Sequence, residues 1–196
     1  MFIVGLNGSP NKEGNTSFLL RYILNETNKN GCEYEIINIA EALNSAKTPF
    51  CNACSTPCSG KCYGGTPLEE AFNLISKADA VILGTPVYFG TVSAQIKAFF
   101  DKTRKIRGEK VWINKIAAGV TVGASKYGGQ ETAIRALHDI LLVHGMVIVG
   151  DGHPEYGAGH HGVCAQKPAK EDEDALNRAK VLAEEIVYMV KNNMIK

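Results

Sequence analysis

Residues 2–23 read FIVGLNGSPNKEGNTSFLLRYI, and the fold turns on how this stretch divides. Residues 2–6 form a short apolar run suited to a buried strand. From residue 16 onward, Phe18, Leu19, Tyr22 and Ile23 recur at helical spacing. A loop of glycine and small polar residues joins the two. The same unit then repeats along the chain. Residues 33–39 (EYEIINI), 80–85 (AVILGT), 115–122 (KIAAGVTV) and 146–150 (MVIVG) are the further strand candidates. Helical patterns fall at 67–77, where proline opens the helix, and at 93–105, 130–144 and 174–192. Strict alternation of this kind predicts an α/β fold, a doubly wound five-stranded parallel sheet between two layers of helices. No repeat, linker or low-complexity tract interrupts it, so residues 1–196 are expected to fold as a single domain.

The composition narrows the function. Hydrophobic residues make up 45% and charged residues 21%, which suits a packed core and excludes a disordered chain. With 21 basic and 20 acidic residues the net charge is +1, so no overall field favours nucleic acid or an anionic membrane. No apolar run approaches the 18 or so residues of a membrane helix. The first ten residues carry no basic segment of a signal peptide, so a cytoplasmic protein is expected, with its thiols reduced. Six cysteines in that setting point to metal or redox chemistry before disulfides.

Ligands of an open parallel sheet sit beyond the carboxyl ends of its strands. The loop Gly8-Ser9-Pro10-Asn11-Lys12-Glu13-Gly14-Asn15-Thr16-Ser17 lies there and opens a helix, whose unpaired N–H groups and dipole favour a phosphate. Ser9, Asn15, Thr16 and Ser17 add neutral donors. The loop lacks the Gly-Lys-Ser/Thr of a P-loop, and Gly5-x-x-Gly8 lacks the dinucleotide spacing. An ordinary turn with Thr16 as helix cap is the alternative. After the third strand, Pro86, Val87, Tyr88, Phe89 and Gly90 offer flat apolar surfaces and close backbone approach. After the fourth, Gly128 and Gly129 precede a helix and bring backbone donors within reach of a ring edge. Each loop alone is also simple turn chemistry. Three at one edge describe a mononucleotide pocket.

GSPNKEGNTS (8–17), TPVYFGTVSAQIKAFFD (85–101) and YGGQE (127–131) together resemble the flavodoxin-like NADPH-dependent FMN reductases over essentially the whole chain. The resemblance implies a sheet of order 2-1-3-4-5. It implies FMN, with its phosphate on Ser9, Asn15, Thr16 and Ser17. The isoalloxazine would lie against Pro86, Val87, Tyr88, Phe89 and Gly90, and Gly128 and Gly129 would close the other side. It also implies a homodimer or homotetramer.

Residues 40–66 show no periodicity, and a structureless connection of that length in a compact domain needs something to order it. It holds Cys51-x2-Cys54-x3-Cys58-x3-Cys62, four thiols in twelve residues. Four soft ligands this close suit an iron–sulfur cubane better than a zinc ribbon, and a cation would relieve their mutual repulsion as thiolates. Zinc or metal-free thiols stand as alternatives. The arrangement resembles the cysteine motif of the iron–sulfur flavoproteins, a branch of the same family. It departs in spacing, since that branch has a second gap of x2 and a longer last one.

The expected function is therefore an FMN-dependent oxidoreductase or electron-transfer flavoprotein with a [4Fe–4S] cluster. A centre near the ring would link one-electron donors, such as ferredoxin, to two-electron acceptors. Alternatives are an NAD(P)H-dependent FMN or quinone reductase with structural or zinc-binding cysteines, and a non-enzymatic redox sensor. Electron transfer needs no protein acid or base, so no catalytic residue is expected.

Further readings are smaller. His153, His160, His161 and Cys164 lie in a Gly/His-rich segment, 151–172, that is a metal site, a lid over the ring, an oligomer contact or plain surface. His160 and His161 are adjacent and expected to diverge. His138 and His144 are expected to be partly exposed on a helix. Lys102, Arg104, Lys105, Arg107 and Lys110 read as a solvated face or a docking patch. Cys32 reads as a small turn residue, and the acidic run 171–174 favours the start of the last helix.

Overall fold

The computed structural model describes residues 1–193. Six strands, β1 (Phe2–Asn7), β2 (Glu33–Asn38), β3 (Ala80–Pro86), β4 (Ile116–Gly123), β5 (Val147–Ile148) and β6 (Val163–Gln166), form one sheet. Its order is β2-β1-β3-β4-β5, every pairing is parallel, and β6 also pairs with β4. This is the doubly wound flavodoxin-like architecture, with its reversal of winding beside β1. Helices α1 (Asn15–Lys29), α3 (Pro67–Lys77), α4 (Ala94–Asp101), α6 (Gln130–Val143) and α7 (Glu173–Asn193) are the expected crossovers and closing helix.

The sheet is apolar on both faces because its strands are covered on both sides. Ile3 and Ile82 face Leu20, Ile23 and Leu24 of α1 and Leu182, Ala183 and Ile186 of α7. Val4, Leu6, Val81 and Leu83 face the opposite layer with Phe72, Phe99, Phe100 and Trp112. There the aromatic rings pack edge to face. Phe72 lies 5.0 Å from Tyr63, 5.0 Å from Phe99 and 6.0 Å from Trp112. Such contacts add about 0.5–1.5 kcal/mol each beyond simple burial.

The structure departs from the sequence reading where side-chain hydrogen bonds or turn residues overrode periodicity. A short helix α2 (Ile39–Asn44) occupies the start of the segment expected to be aperiodic. The helix expected over 93–105 breaks into α4 and α5 (Arg104–Gly108). At the break Thr103 turns its hydroxyl back to the Phe100 carbonyl (2.6 Å) and meets His144 Nε2 at 2.9 Å. The fifth sheet position is split. β5 pairs with β4 only at Ile116 and Ala117, and β6, expected as loop, pairs from Val120 to Gly123. Residues 149–162 leave the sheet between them, as their glycines and Pro154 favour. This excursion packs against α7. Buried Asp151 accepts from Arg178 at 3.2 Å and from the His160 backbone N–H, and His153 lies 5.8 Å from Tyr188. Asp172 begins α7 by accepting from Ala175 N. No helix of the described residues is long and apolar enough to cross a membrane.

Two burial expectations are corrected. Lys102 is only 2% exposed, because it ends α4 against the core instead of joining the solvated basic face. His144 is 7% exposed, ringed by Phe100 and Trp112, whereas His138 is half-buried as expected. Burial, and then the Arg107 guanidinium, push the His144 imidazole from 6.5 down to about 4. The unfolded chain therefore binds a proton between those pH values that the folded chain refuses. The stabilisation is complete above about pH 6.5 and drains away as the pH falls toward 4, amounting to about 3 kcal/mol in full. His144→Gln removes this component. In urea unfolding, the stability lost between pH 7 and pH 4.5 is expected to be about 2 kcal/mol smaller in the variant.

Candidate functional site

The carboxyl ends of β1, β3 and β4 meet at one edge, and the loop after β1 is tied there. Gly8 donates its N–H to the Gly84 carbonyl at 2.8 Å. A Cβ on Gly8 would stand 2.4 Å from Ile96 and 2.8 Å from Gly84 O, so only glycine allows this approach. The loop then folds through three short side-chain turns. Ser9 N donates to Asn7 Oδ1 (3.1 Å), Asn11 N to Ser9 Oγ (3.1 Å) and Glu13 N to Asn11 Oδ1 (3.0 Å). Gly14, not Thr16, caps α1, so the alternative of Thr16 as cap is not realised. Asn15 Oδ1 accepts from Ala169 N at 2.9 Å, which pins the start of α1 to the segment after β6.

A cleft of about 230 Å³ opens between these strand ends. Ser9, Asn15 and Thr16 line one side, and Pro86, Val87 and Tyr88 line the other. The remaining predicted residues do not line it. Ser17 is buried at the first turn of α1, where its Oγ accepts from Arg21 at 3.4 Å. Tyr88 and Thr91 exchange backbone hydrogen bonds across a tight turn, and Phe89 at its tip is fully exposed with φ +51. Gly129 caps α6 at φ +91 and packs on Gly90, whose Cα lies 3.0 Å from where its Cβ would be. Gly128 closes a turn on the Ser125 carbonyl. Two larger cavities, of about 570 and 810 Å³, lie beside Cys164, and the larger is lined by Gly129 and Gln130 after β4 and by Gln166 at the end of β6.

Asn11, Gly14, Val122, Gly123, Ala124 and Lys167 also line the cleft; the sequence assigns none of them a contact, and Lys167 lies outside the three loops it singles out. Lys167 follows β6 and donates its N–H to the Gly123 carbonyl at 2.9 Å. The signal was the apolar alternation of Val163 and Ala165, hidden by the glycines and histidines before it. Segment 149–162 contributes no residue to the cleft lining. His160 turns to Asp151 while the His161 ring lies 5.9 Å from His138, so the two histidines do diverge.

The donors fit a phosphate. The first N–H groups of a helix lack partners within it, the dipole end is positive, and Ser9 and Thr16 add hydroxyls. The open side, with Pro86, Val87 and the half-exposed Tyr88, fits a flat ring.

The cysteine loop lies elsewhere. Cys62 packs against the helical layer with Phe72 and Phe99 and lies 3.8 Å from Lys102 Nζ, at the end of α4 remote from the cleft. Cys51 lines a groove with Arg104, Arg107 and His144. All six cysteines are free. Among the described residues no three His, Cys, Asp or Glu side chains converge as a metal site, so the structure does not draw Cys51, Cys54, Cys58 and Cys62 into one coordination shell. The donor chemistry nevertheless suits a soft metal centre: four thiols on one loop, beside a buried cation. Burial, and then Cys58 and Cys62, push the neighbouring Tyr63 phenol up to about 12.

The profile of the NADPH-dependent FMN reductases matches residues 1–161. The chain belongs to that family. Within it, the chain is 40% identical to an iron–sulfur flavoprotein of Methanocaldococcus jannaschii, covering 97% of this chain and 98% of that one. It is 34% identical to an iron–sulfur flavoprotein of Methanosarcina thermophila, over 88% and 86% of the two chains. It is thus a member of the iron–sulfur flavoprotein branch. The fold superposes on a flavodoxin, the WrbA-like protein of Agrobacterium tumefaciens, with a TM-score of 0.68 at 20% identity, over 97% and 96% of the chains.

Ser93 joins two of the cleft loops. Its Oγ donates to the Gly8 carbonyl at 2.6 Å and accepts from Ile96 N at 3.3 Å, capping α4. Ser93→Ala leaves both buried groups unpaired and is expected to cost about 1–3 kcal/mol in urea unfolding, with an unchanged denaturant slope.

Proposed function

We propose that this chain is an FMN-dependent oxidoreductase carrying a [4Fe–4S] cluster on Cys51, Cys54, Cys58 and Cys62, linking one-electron donors to two-electron acceptors. The observation that carries the FMN half is the convergence of Ser9, Asn15, Thr16, Pro86, Val87 and Tyr88 on one cleft. Bound FMN exchanges one or two electrons and a bound cluster exchanges one at a time. Ser9 and Thr16 hold the phosphate with their hydroxyls, and Asn15, whose Oδ1 is already engaged, donates through its amide NH2. Ser17 contributes its backbone N–H, since its Oγ accepts from Arg21 and does not line the cleft. Pro86, Val87, Tyr88, Phe89 and Gly90 supply the ring platform, and Gly128 and Gly129 the backbone on its other side. No side chain is assigned as a catalytic acid or base. The iron–sulfur half is supported by the branch to which the relatives belong and by the four free thiols.

Within one chain the cysteine loop and the cleft lie at opposite ends of α4, whose eight residues span about 12 Å. That separation supports a homodimer or homotetramer in which the centre of one subunit serves the cleft of another. Exposed Phe89, Tyr127 and Phe50 provide apolar surface for such contacts. Ferredoxin or NAD(P)H is the proposed donor. An NAD(P)H-dependent FMN or quinone reductase with structural cysteines is a second reading, favoured by the separation of the four thiols in this structure. Rapid bleaching of the bound flavin by NADPH marks that second reading, whereas a ferredoxin-fed protein responds weakly to it.

Anaerobic purification followed by flavin, iron and acid-labile sulfide assays tests the proposal. Expected are FMN together with iron and sulfide in equal amounts. FMN without sulfide removes the cluster, and protein that stays colourless with added FMN removes the whole reading. Cys54→Ala is expected to lose iron yet bind FMN as tightly as the parent, because the cleft residues lie on other loops. Loss of flavin from that variant while it remains folded overturns the division into two sites.

A further inference from the structure

Two buried hydrogen-bond donors lie under the cysteine loop with no ordinary acceptor. Lys102 is 2% exposed, and its Nζ has Cys62 Sγ as its side-chain partner, at 3.8 Å. Among the described residues no carboxylate forms an ion pair with it. Tyr63, next along from Cys62, is 3% exposed, and its hydroxyl has no hydrogen-bond partner among the described residues. Its ring is fixed edge-on to Phe72, and its Oη lies 2.9 Å from where a Cβ on Gly60 would stand. Gly60, at φ +70 between Cys58 and Cys62, thereby admits the phenol tip to the loop.

A buried ammonium needs an anion, and a neutral thiol is a weak acceptor. A buried phenol likewise needs an acceptor. The loop above them offers four thiols. We propose that Lys102 and Tyr63 are positioning residues for the sulfur centre of this loop. They hold its negative charge through donation to sulfur and raise its reduction potential. This assignment rests on the iron–sulfur reading above. One-electron reduction by an external low-potential reductant adds one negative charge to the centre and breaks no bond. A fixed cation and a hydrogen bond to sulfur stabilise the reduced state more than the oxidised one, which is how such contacts set these potentials.

The test is an anaerobic redox titration of the holoprotein, followed by electron paramagnetic resonance, with iron, sulfide and FMN measured on each sample. Lys102→Met is expected to keep its FMN and iron while the midpoint of the centre falls. The equilibrium constant for reduction drops about tenfold, or about 59 mV for one electron. Lys102→Arg is expected to restore most of that shift, because it keeps the charge. Tyr63→Phe keeps the ring packing and is expected to lower the midpoint by a smaller amount. The flavin midpoints should stay where they are in the parent.

Iron-loaded variants with the parental midpoint overturn the assignment alone. Equal shifts in Lys102→Met and Lys102→Arg also overturn it, since they indicate disturbed packing and not lost charge. A parent chain that takes up no iron and sulfide on anaerobic reconstitution overturns the iron–sulfur reading itself. Should Lys102→Met fail to hold iron, Tyr63→Phe decides: a lowered midpoint supports the assignment and an unchanged one ends it.

Discussion

The cleft exists because one stretch of backbone comes closer to a strand than any side chain would permit. Gly8 lies against Gly84 and Ile96 at distances that a single methyl group would close. Ser93 then clamps the Gly8 carbonyl from the neighbouring connection while capping α4. The loops after β1 and β3 are thereby locked to each other. The start of α1 is fixed from the opposite direction, by the bond between Asn15 and Ala169. With loop and helix both held, the unpaired N–H groups at the start of α1 point into a defined volume. Preorganisation of this kind spares a ligand the entropy of ordering its own site.

Much of this was legible in the sequence, for a physical reason. Alternation of apolar strands with amphipathic helices is a global pattern, and it identified the parallel sheet, its covering on both faces and the edge where the loops gather. Pro67 at the start of α3 and the apolar run 80–85 landed where local chemistry placed them. What failed was of another kind. The break after α4 depends on Thr103 bonding His144, 41 residues away, which no local window contains. Lys102 reads as one more member of a basic run, yet the helix ends there and turns it inward. Strand β6 is four residues long and earns its place only by pairing with β4, so Lys167 went unnoticed at the cleft. Of the predicted cleft residues, Ser9, Asn15, Thr16, Pro86, Val87 and Tyr88 line it, and Ser17, Phe89, Gly90, Gly128 and Gly129 do not.

The two chemically distinctive parts of the chain share a helix but not a neighbourhood. α4 begins at the bond between Ser93 and the loop after β1 and ends at Lys102, against Cys62. The residues gathered at its far end differ in kind from those at its start. The cleft combines small polar groups and backbone with the apolar edge of Pro86, Val87 and Tyr88, whereas Cys62 and Tyr63 anchor an otherwise largely exposed cysteine loop on Phe72, Phe99 and Trp112.

The divided fifth strand leaves the sheet with two independent fastenings at its edge. Val147 and Ile148 secure one end of β4, and Val163 to Gln166 secure the other, so neither register depends on the length of chain between them. Closing a longer loop adds only about 0.6 kcal/mol for each doubling. The span between Gly152 and Gly159 is accordingly a permissive port, where a peptide tag or an extra hairpin can be grafted without moving a cleft residue, provided that Asp151 keeps its grip on Arg178.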